Sequence, residues 1–225
     1  MARNGWQKIA RGLMPLKLNQ IALITLTAIA VFLYWQNYQE TYKDEGRLEV
    51  VQEGDAVILS WRSPIELPMS RRFDEAFSEW ANKTDKFIIN LDSVGGALRE
   101  GRHVIELIDR MKQTHLIETT VGEQANCLSM CVPIYLHGEQ RSASRRSIWM
   151  FHEPRSYDYI TDEESDEPEF ERNAASERFF KKYFVNSDMD PKWRANLQKE
   201  WVGKDVWYSG QQLKDQQSNI ILRLY

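Results

Sequence analysis

Residues 86–96 read Lys86-Phe87-Ile88-Ile89-Asn90-Leu91-Asp92-Ser93-Val94-Gly95-Gly96. The first six form a short apolar run bounded by turn residues, which is the pattern of a strand buried on both faces of a sheet. It leads through Gly95-Gly96 into residues 97–111, where Leu98, Val104, Ile105, Leu107 and Ile108 recur at helical spacing. Residues 116–121 repeat the strand signal, residues 127–136 read as a helical run, and residues 147–151 (SIWMF) as a strand that delivers His152. Strand, helix, strand, helix, strand implies right-handed crossovers and a mainly parallel sheet, so the expected class is α/β.

Working outward, residues 49–51 and 56–61 flank the turn cluster Gln52-Glu53-Gly54-Asp55 and read as a hairpin. Phe73, Ala76, Phe77 and Trp80 then mark an amphipathic helix. Downstream, residues 158–171 hold eight acids (Asp158, Asp162, Glu163, Glu164, Asp166, Glu167, Glu169 and Glu171). Such a block reads as a solvated insertion, with a lid or docking element as the alternative because it follows His152 so closely. Phe179, Phe180, Tyr183 and Phe184 begin a helix with a wide apolar face. The chain closes through Asp190-Pro191, a helix to about residue 201, the segment 205–213 and a final strand at 220–224.

With 225 residues, 42% of them apolar, the chain can bury a proper core, which excludes wholesale disorder. Two cysteines and four scattered histidines show no metal-ligand spacing, so a zinc enzyme is not expected. No cofactor is expected for this chain. Arg3, Lys8, Arg11 and Lys17 stand in the first twenty residues without an acid. From Ile21 onward 25 basic groups face 33 acidic ones, a balance of −8 that argues against a nucleic-acid partner.

Residues 21–35 (IALITLTAIAVFLYW) are uncharged and apolar, with cations before them and acids after. The expectation is a single-pass membrane anchor with its basic end in the cytoplasm and the body outside. Residues 13–18, with Tyr34 and Trp35, lengthen the run toward the roughly 20 residues that span hydrocarbon. The rival reading is a signal peptide cut at Ala28-Ile29-Ala30, which would leave the apolar residues 31–35 on the mature end. The expected organisation is a cytoplasmic tail (1–20), an anchor (21–35), a linker (36–46) and an α/β domain (47–225) carrying the acidic insertion 158–171.

Open parallel sheets bind ligands at the carboxyl ends of their strands. Gly95-Gly96, residues 122–129 and His152 each follow a strand, and are expected on one rim. Ser129 lies at or just before a helix start, where free amides and the dipole favour an oxyanion. A serine needs a base, and His152 is placed to supply it. An amide of Gly95-Gly96 pairs with that of Met130 as a two-donor oxyanion hole. Taken singly, the serine reads as an N-cap, the glycines as a turn and the histidine as structural. Their joint order and spacing carry the weight. Cys131 is the lesser candidate nucleophile. Pro133 fits only near a helix beginning, which independently puts the start close to Ser129. Cys127 and Cys131 read as small buried packing residues, with a local disulfide as the alternative in an oxidising compartment.

Residues 88–154 resemble the Clp-type serine protease branch of the Clp/crotonase superfamily, in particular its membrane-anchored or periplasmic members with a Cys-x-Ser-x-Cys nucleophile context. The matching stretches are Ile89 to Gly96, Gly122 to Cys131, Gly138-Glu139-Gln140-Arg141 and Met150-Phe151-His152-Glu153-Pro154. The resemblance implies a peptidase of the bacterial inner membrane with a periplasmic body and a polypeptide substrate. In it Ser129 is the nucleophile and His152 the general base. The Gly96 and Met130 amides form the oxyanion hole, with Gly95 needed for the turn. The third carboxylate is expected shortly before a motif resembling Asp205-Val206-Trp207-Tyr208-Ser209. The aligned position falls near Trp201, which is no acid, so Asp205 is preferred and Glu200 is the alternative. Rings or smaller cyclic homo-oligomers are also implied, with the apolar face at residues 179–184 read equally as a candidate interface or as core. Two other classes compete: an inactive scaffold that binds peptides or partners, and crotonase-like thioester chemistry. The latter needs cations for the phosphates of coenzyme A, which the negative body disfavours.

Overall fold

In the computed structural model, residues 25–33, 48–155 and 168–225 are described. The chain divides into two units, Met1–Glu45 and Gly46–Tyr225. In the first, residues 25–33 form a helix, α1, with exposed side chains. The remainder of the expected anchor, the basic tail and the linker 36–46 lie outside the described residues. No helix among the described residues is long and apolar enough to cross a membrane.

The second unit opens with the expected hairpin of β1 (Leu48–Glu53) and β2 (Ala56–Trp61), turned at Gly54 in the left-handed region. β2 runs parallel to β3 (Lys86–Leu91), and β3 to β4 (Leu116–Val121). With β6 (Gln140–Ala143) and β9 (Arg223–Leu224) they make a six-stranded sheet of order β1-β2-β3-β4-β6-β9, parallel beyond the hairpin. The helices α2 (Met69–Trp80) and α3 (Leu98–Met111) make the crossovers. Phe73, Phe77, Val104 and Ile108 from these helices are buried in one core with Phe87, Ile89, Leu91, Ile117 and Val121.

β3 is not buried on both faces as its composition suggests. Phe87, Ile89 and Leu91 are fully buried, whereas Lys86, Ile88 and Asn90 alternate with them on a half-covered face. A polar cluster occupies that face. Glu118 on β4 receives Lys86 Nζ and Arg223 Nη2, each at 2.9 Å, and the Ser142 hydroxyl at 3.1 Å. Burial pushes the Glu118 carboxyl up, but Lys86, Ser142 and Arg223 together outweigh it and hold it below the usual glutamate range.

The run 127–136 is not one helix. It divides into β5 (Asn126–Leu128), a sharp turn at Ser129 and Met130, and α4 (Cys131–Leu136), in which Pro133 takes the third position. β5 pairs parallel with β7 (Ile148–Phe151), and β7 antiparallel with β8 (Val206–Ser209), as a separate three-stranded sheet. The strand that delivers His152 is therefore not in the main sheet.

α5 (Glu169–Phe180) passes into a π-helical turn at Lys181–Val185, followed by α6 (Pro191–Glu200) and α7 (Gly210–Asp215). Asp190 caps α6 through the amides of Lys192 and Trp193, ahead of Pro191 at the first helical position. Phe179, Phe180, Tyr183 and Phe184 are buried against one another and Trp201, so of the two readings of this face, interface or core, the structure takes core. Of the acidic stretch, residues 158–167 lie outside the described residues. Glu169 and Glu171 stand in the first turn of α5, where carboxylates complement the helix dipole.

Candidate active site

Ser129 sits at the tip of the turn from β5 into α4 with φ at +53°, a left-handed conformation unusual for serine. Such backbone costs on the order of 1–3 kcal/mol and persists only where neighbours enforce it. The Leu128 amide donates to the carbonyl of Ser93 at 3.0 Å, and the Ser129 amide to that of Met150 at 2.9 Å. The Ser93 amide in turn donates to Asn126 O, while Asp92 Oδ1 accepts from the Asn126 backbone amide at 2.8 Å. The segment after β3 is thereby laced to β5. Cys127 and Cys131, expected as packing residues, are joined by a disulfide that brackets the serine.

His152 follows β7, whose side chains alternate. Trp149 and Phe151 point into the core, so Met150 and His152 point out of it. The Phe151 ring is wedged among Phe184, Trp193 and Tyr208, with ring centroids 5.7–6.1 Å away, which anchors the strand end. His152 Nε2 lies 2.6 Å from Ser129 Oγ, within hydrogen-bond length, and in the tautomer with the proton on Nδ1 the hydroxyl donates to Nε2.

Of the two acids considered for the third position, Asp205 faces the histidine. Its Oδ1 is 3.8 Å from His152 Nδ1, beyond hydrogen-bond length, and the same oxygen accepts from Arg155 Nη2 at 2.7 Å. Glu200 is engaged elsewhere, accepting from the Tyr208 hydroxyl at 3.2 Å. Burial, reinforced by that carboxylate, pushes the Tyr208 phenol up to about 12, so it stays a neutral donor at physiological pH.

Gly95 and Gly96 contribute differently. The Gly95 amide donates to Ser93 Oγ at 3.2 Å and is thus occupied. Its part is steric: at φ +90°, a Cβ there would lie 2.6 Å from Ser129 Cβ. Gly96 bridges Ile65, with the Ile65 amide donating to Gly95 O and the Ala97 amide to Ile65 O, both at 2.7 Å. Because those two groups point toward Ile65, the Gly96 amide points the other way, into the cleft. The Met130 amide lies against the other side of the same turn, 3.2 Å from where a Gly95 Cβ would be. Among the described residues neither the Gly96 nor the Met130 amide donates to another protein group.

Gly96 lines a cleft of about 490 Å³ walled by Val94, Leu98 and Met150, with Ser129, His152, Arg155 and Asp205 as its reactive or charged members, and the Met130 amide lies behind Ser129. A hydroxyl on an imidazole base, two unused amides and an apolar channel suit addition to a carbonyl followed by collapse of the tetrahedral adduct. Among the described residues no cluster of three or more His, Cys, Asp or Glu is arranged to hold a metal. Sequence reasoning singled out Ser129, His152, Gly95, Gly96, Met130 and Asp205 but missed Arg155, Ser93 and Met150. The period-2 alternation that puts His152 outward also marks Met150. Nothing local marks Arg155 as the partner of an acid fifty residues away.

No family model matches the sequence, and no curated protein does. Solved structures do resemble it. One is an Asn-to-Asp variant of ClpP1 from Listeria monocytogenes, with a TM-score of 0.56 and 17% identity over 75% of this chain and 90% of that one. Another is the 1510-N membrane-bound stomatin-specific protease as a Ser-to-Ala variant, with a TM-score of 0.60 and 14% identity over 78% and 81%. The same protease as a Lys-to-Ala variant in complex with a substrate peptide gives a TM-score of 0.61 and 14% identity over 78% and 77%.

Proposed function

Starting from the Clp-type serine protease fold that the chain carries, we propose that it is a membrane-anchored, extracytoplasmic serine peptidase that cleaves polypeptides through an acyl-enzyme on Ser129. The 2.6 Å approach of His152 Nε2 to Ser129 Oγ carries this reading. In the proposed reaction the Ser129 oxygen attacks the scissile carbonyl as its proton passes to His152 Nε2. The oxyanion takes hydrogen bonds from the amides of Gly96 and Met130. Collapse expels the amine, which leaves with the proton from His152, and water then hydrolyses the ester with His152 again as base. Asp205 supports the imidazolium from the Nδ1 side.

Anchoring and a periplasmic body are supported by the uncharged run 21–35 behind four cations, and by a disulfide in the body, since such bonds persist in oxidising compartments. The resemblance to a membrane-bound, stomatin-specific protease adds an analogy of fold.

The test is labelling of the full chain with a fluorophosphonate. Modification at Ser129, abolished in Ser129→Ala and close to abolished in His152→Ala, is the expected result. A folded protein that leaves Ser129 unmodified rejects the peptidase. One observation favours a second reading, an inactive scaffold that binds peptides: Arg155, not His152, holds Asp205 at hydrogen-bond distance. Peptide binding that survives Ser129→Ala, with no turnover by the wild type, would support it.

A further inference from the structure

The bond between Cys127 and Cys131 encloses three residues with Ser129 in the middle. Cys127 lies on β5, opposite Trp149 of the strand that delivers His152, and Cys131 is the first residue of α4. Both cysteines are fully buried. On the β5 side the turn is held by the amides of Leu128 and Ser129. On the α4 side a backbone tie back to the turn runs from the Val132 amide to Ser129 O at 3.0 Å, and among the described residues the Met130 amide donates to no other protein group. The disulfide closes that weaker side.

We propose that the Cys127–Cys131 bond positions the nucleophile: it keeps Ser129 left-handed and facing His152, so that the reactivity of the serine depends on the oxidation state of the pair. The proposal rests on the peptidase reading above. Size argues for a local role, since cross-linking a loop this short constrains the unfolded chain least. Packing argues for it too. Reduction by a dithiol transfers two electrons and two protons to the bond, yielding two cysteine thiols and the cyclic disulfide of the reductant. The two sulfurs must then part from bonding distance to van der Waals contact. In a close-packed interior that separation displaces β5 or α4, and Ser129 lies between them.

The experiment uses the full chain in detergent, either oxidised or treated with dithiothreitol, with free thiols counted by alkylation and mass spectrometry. Fluorophosphonate labelling at Ser129 and peptide turnover are measured in each state, and folding is followed by thermal unfolding. Reduction is expected to lower both the labelling rate and kcat by about 10- to 100-fold, the scale of an ångström-sized misplacement. KM should stay within about two-fold, and reoxidation should restore the rate. The double variant Cys127→Ala, Cys131→Ala should sit at the reduced level and ignore dithiothreitol. Equal labelling in the oxidised and fully reduced states overturns the proposal and leaves the peptidase standing. So does loss of labelling that occurs only together with cooperative unfolding, which would make the bond a general staple. An oxidised protein that does not label at all rejects the peptidase reading, and this proposal with it.

Discussion

Arg155 donates to Asp205 Oδ1 at 2.7 Å, and so holds the oxygen that stands 3.8 Å from His152 Nδ1. Both side chains of this ion pair are about one-third exposed, at 35% each, so the pair is worth no more than about 1 kcal/mol. That is enough to bias where the carboxylate rests. Arg155→Gln is expected to release Asp205 toward His152 and raise kcat by about two- to five-fold on an uncharged peptide. A fall in steady-state kcat in this variant would show that the arginine supports the site.

The two acids make opposite predictions. Asp205→Asn removes the support proposed for the imidazolium and is expected to lower kcat by about 100-fold or more while KM changes little. Glu200→Gln removes only the partner of the Tyr208 hydroxyl and should stay within about two-fold of wild type. Kinetics of the two variants side by side decide the third position, and the reverse pattern would assign it to Glu200.

Gly96→Ala tests the proposed oxyanion hole. A Cβ at this residue would lie 2.4 Å from the carbonyl oxygen of Ile65, at a φ of +148° that side chains rarely adopt. The bridge to Ile65 must shift, and the amide aimed into the cleft shifts with it. Losing one such donor lowers kcat on the order of 100-fold. The check is single-turnover acylation, with circular dichroism to establish that the variant is folded.

Glu118 ties the open face of the main sheet together, and its depressed carboxyl makes stability depend on pH. A carboxylate lowered by folding contributes stability that is fully present above its unfolded value, about 4.3, and lost as pH falls through its folded value. Wild type should exceed Glu118→Gln by about 1–3 kcal/mol in urea unfolding at neutral pH. The gap should narrow below about pH 4.3. A gap that is constant down to pH 3 would remove Glu118 from the acid response.

Much of the fold was legible because its signals are local. The apolar run at Lys86–Leu91 and the helical spacing through Val104 and Ile108 survive as β3 and α3, since periodicity reports which side chains share a face. Ser129 and His152 were legible as a pair through motif order. What misled was composition read without context: residues 127–136 carry helix-compatible apolar residues, yet the first two are extended because Ser93 and β7 take their hydrogen bonds. The partner of Asp205 and the occupied Gly95 amide were out of reach for the same reason.

The sequence by itself determined the α/β class, the strands β1 to β4 and β7, and the hydroxyl and imidazole that meet, because hydrophobic pattern and side-chain chemistry are properties of neighbouring residues. Only the tertiary structure decided that His152 arrives from a second sheet, that Ser129 is left-handed, that two cysteines close around it and that Arg155 holds Asp205. Each of these depends on groups that are distant in the chain or on a backbone torsion set by packing, and no local pattern encodes either.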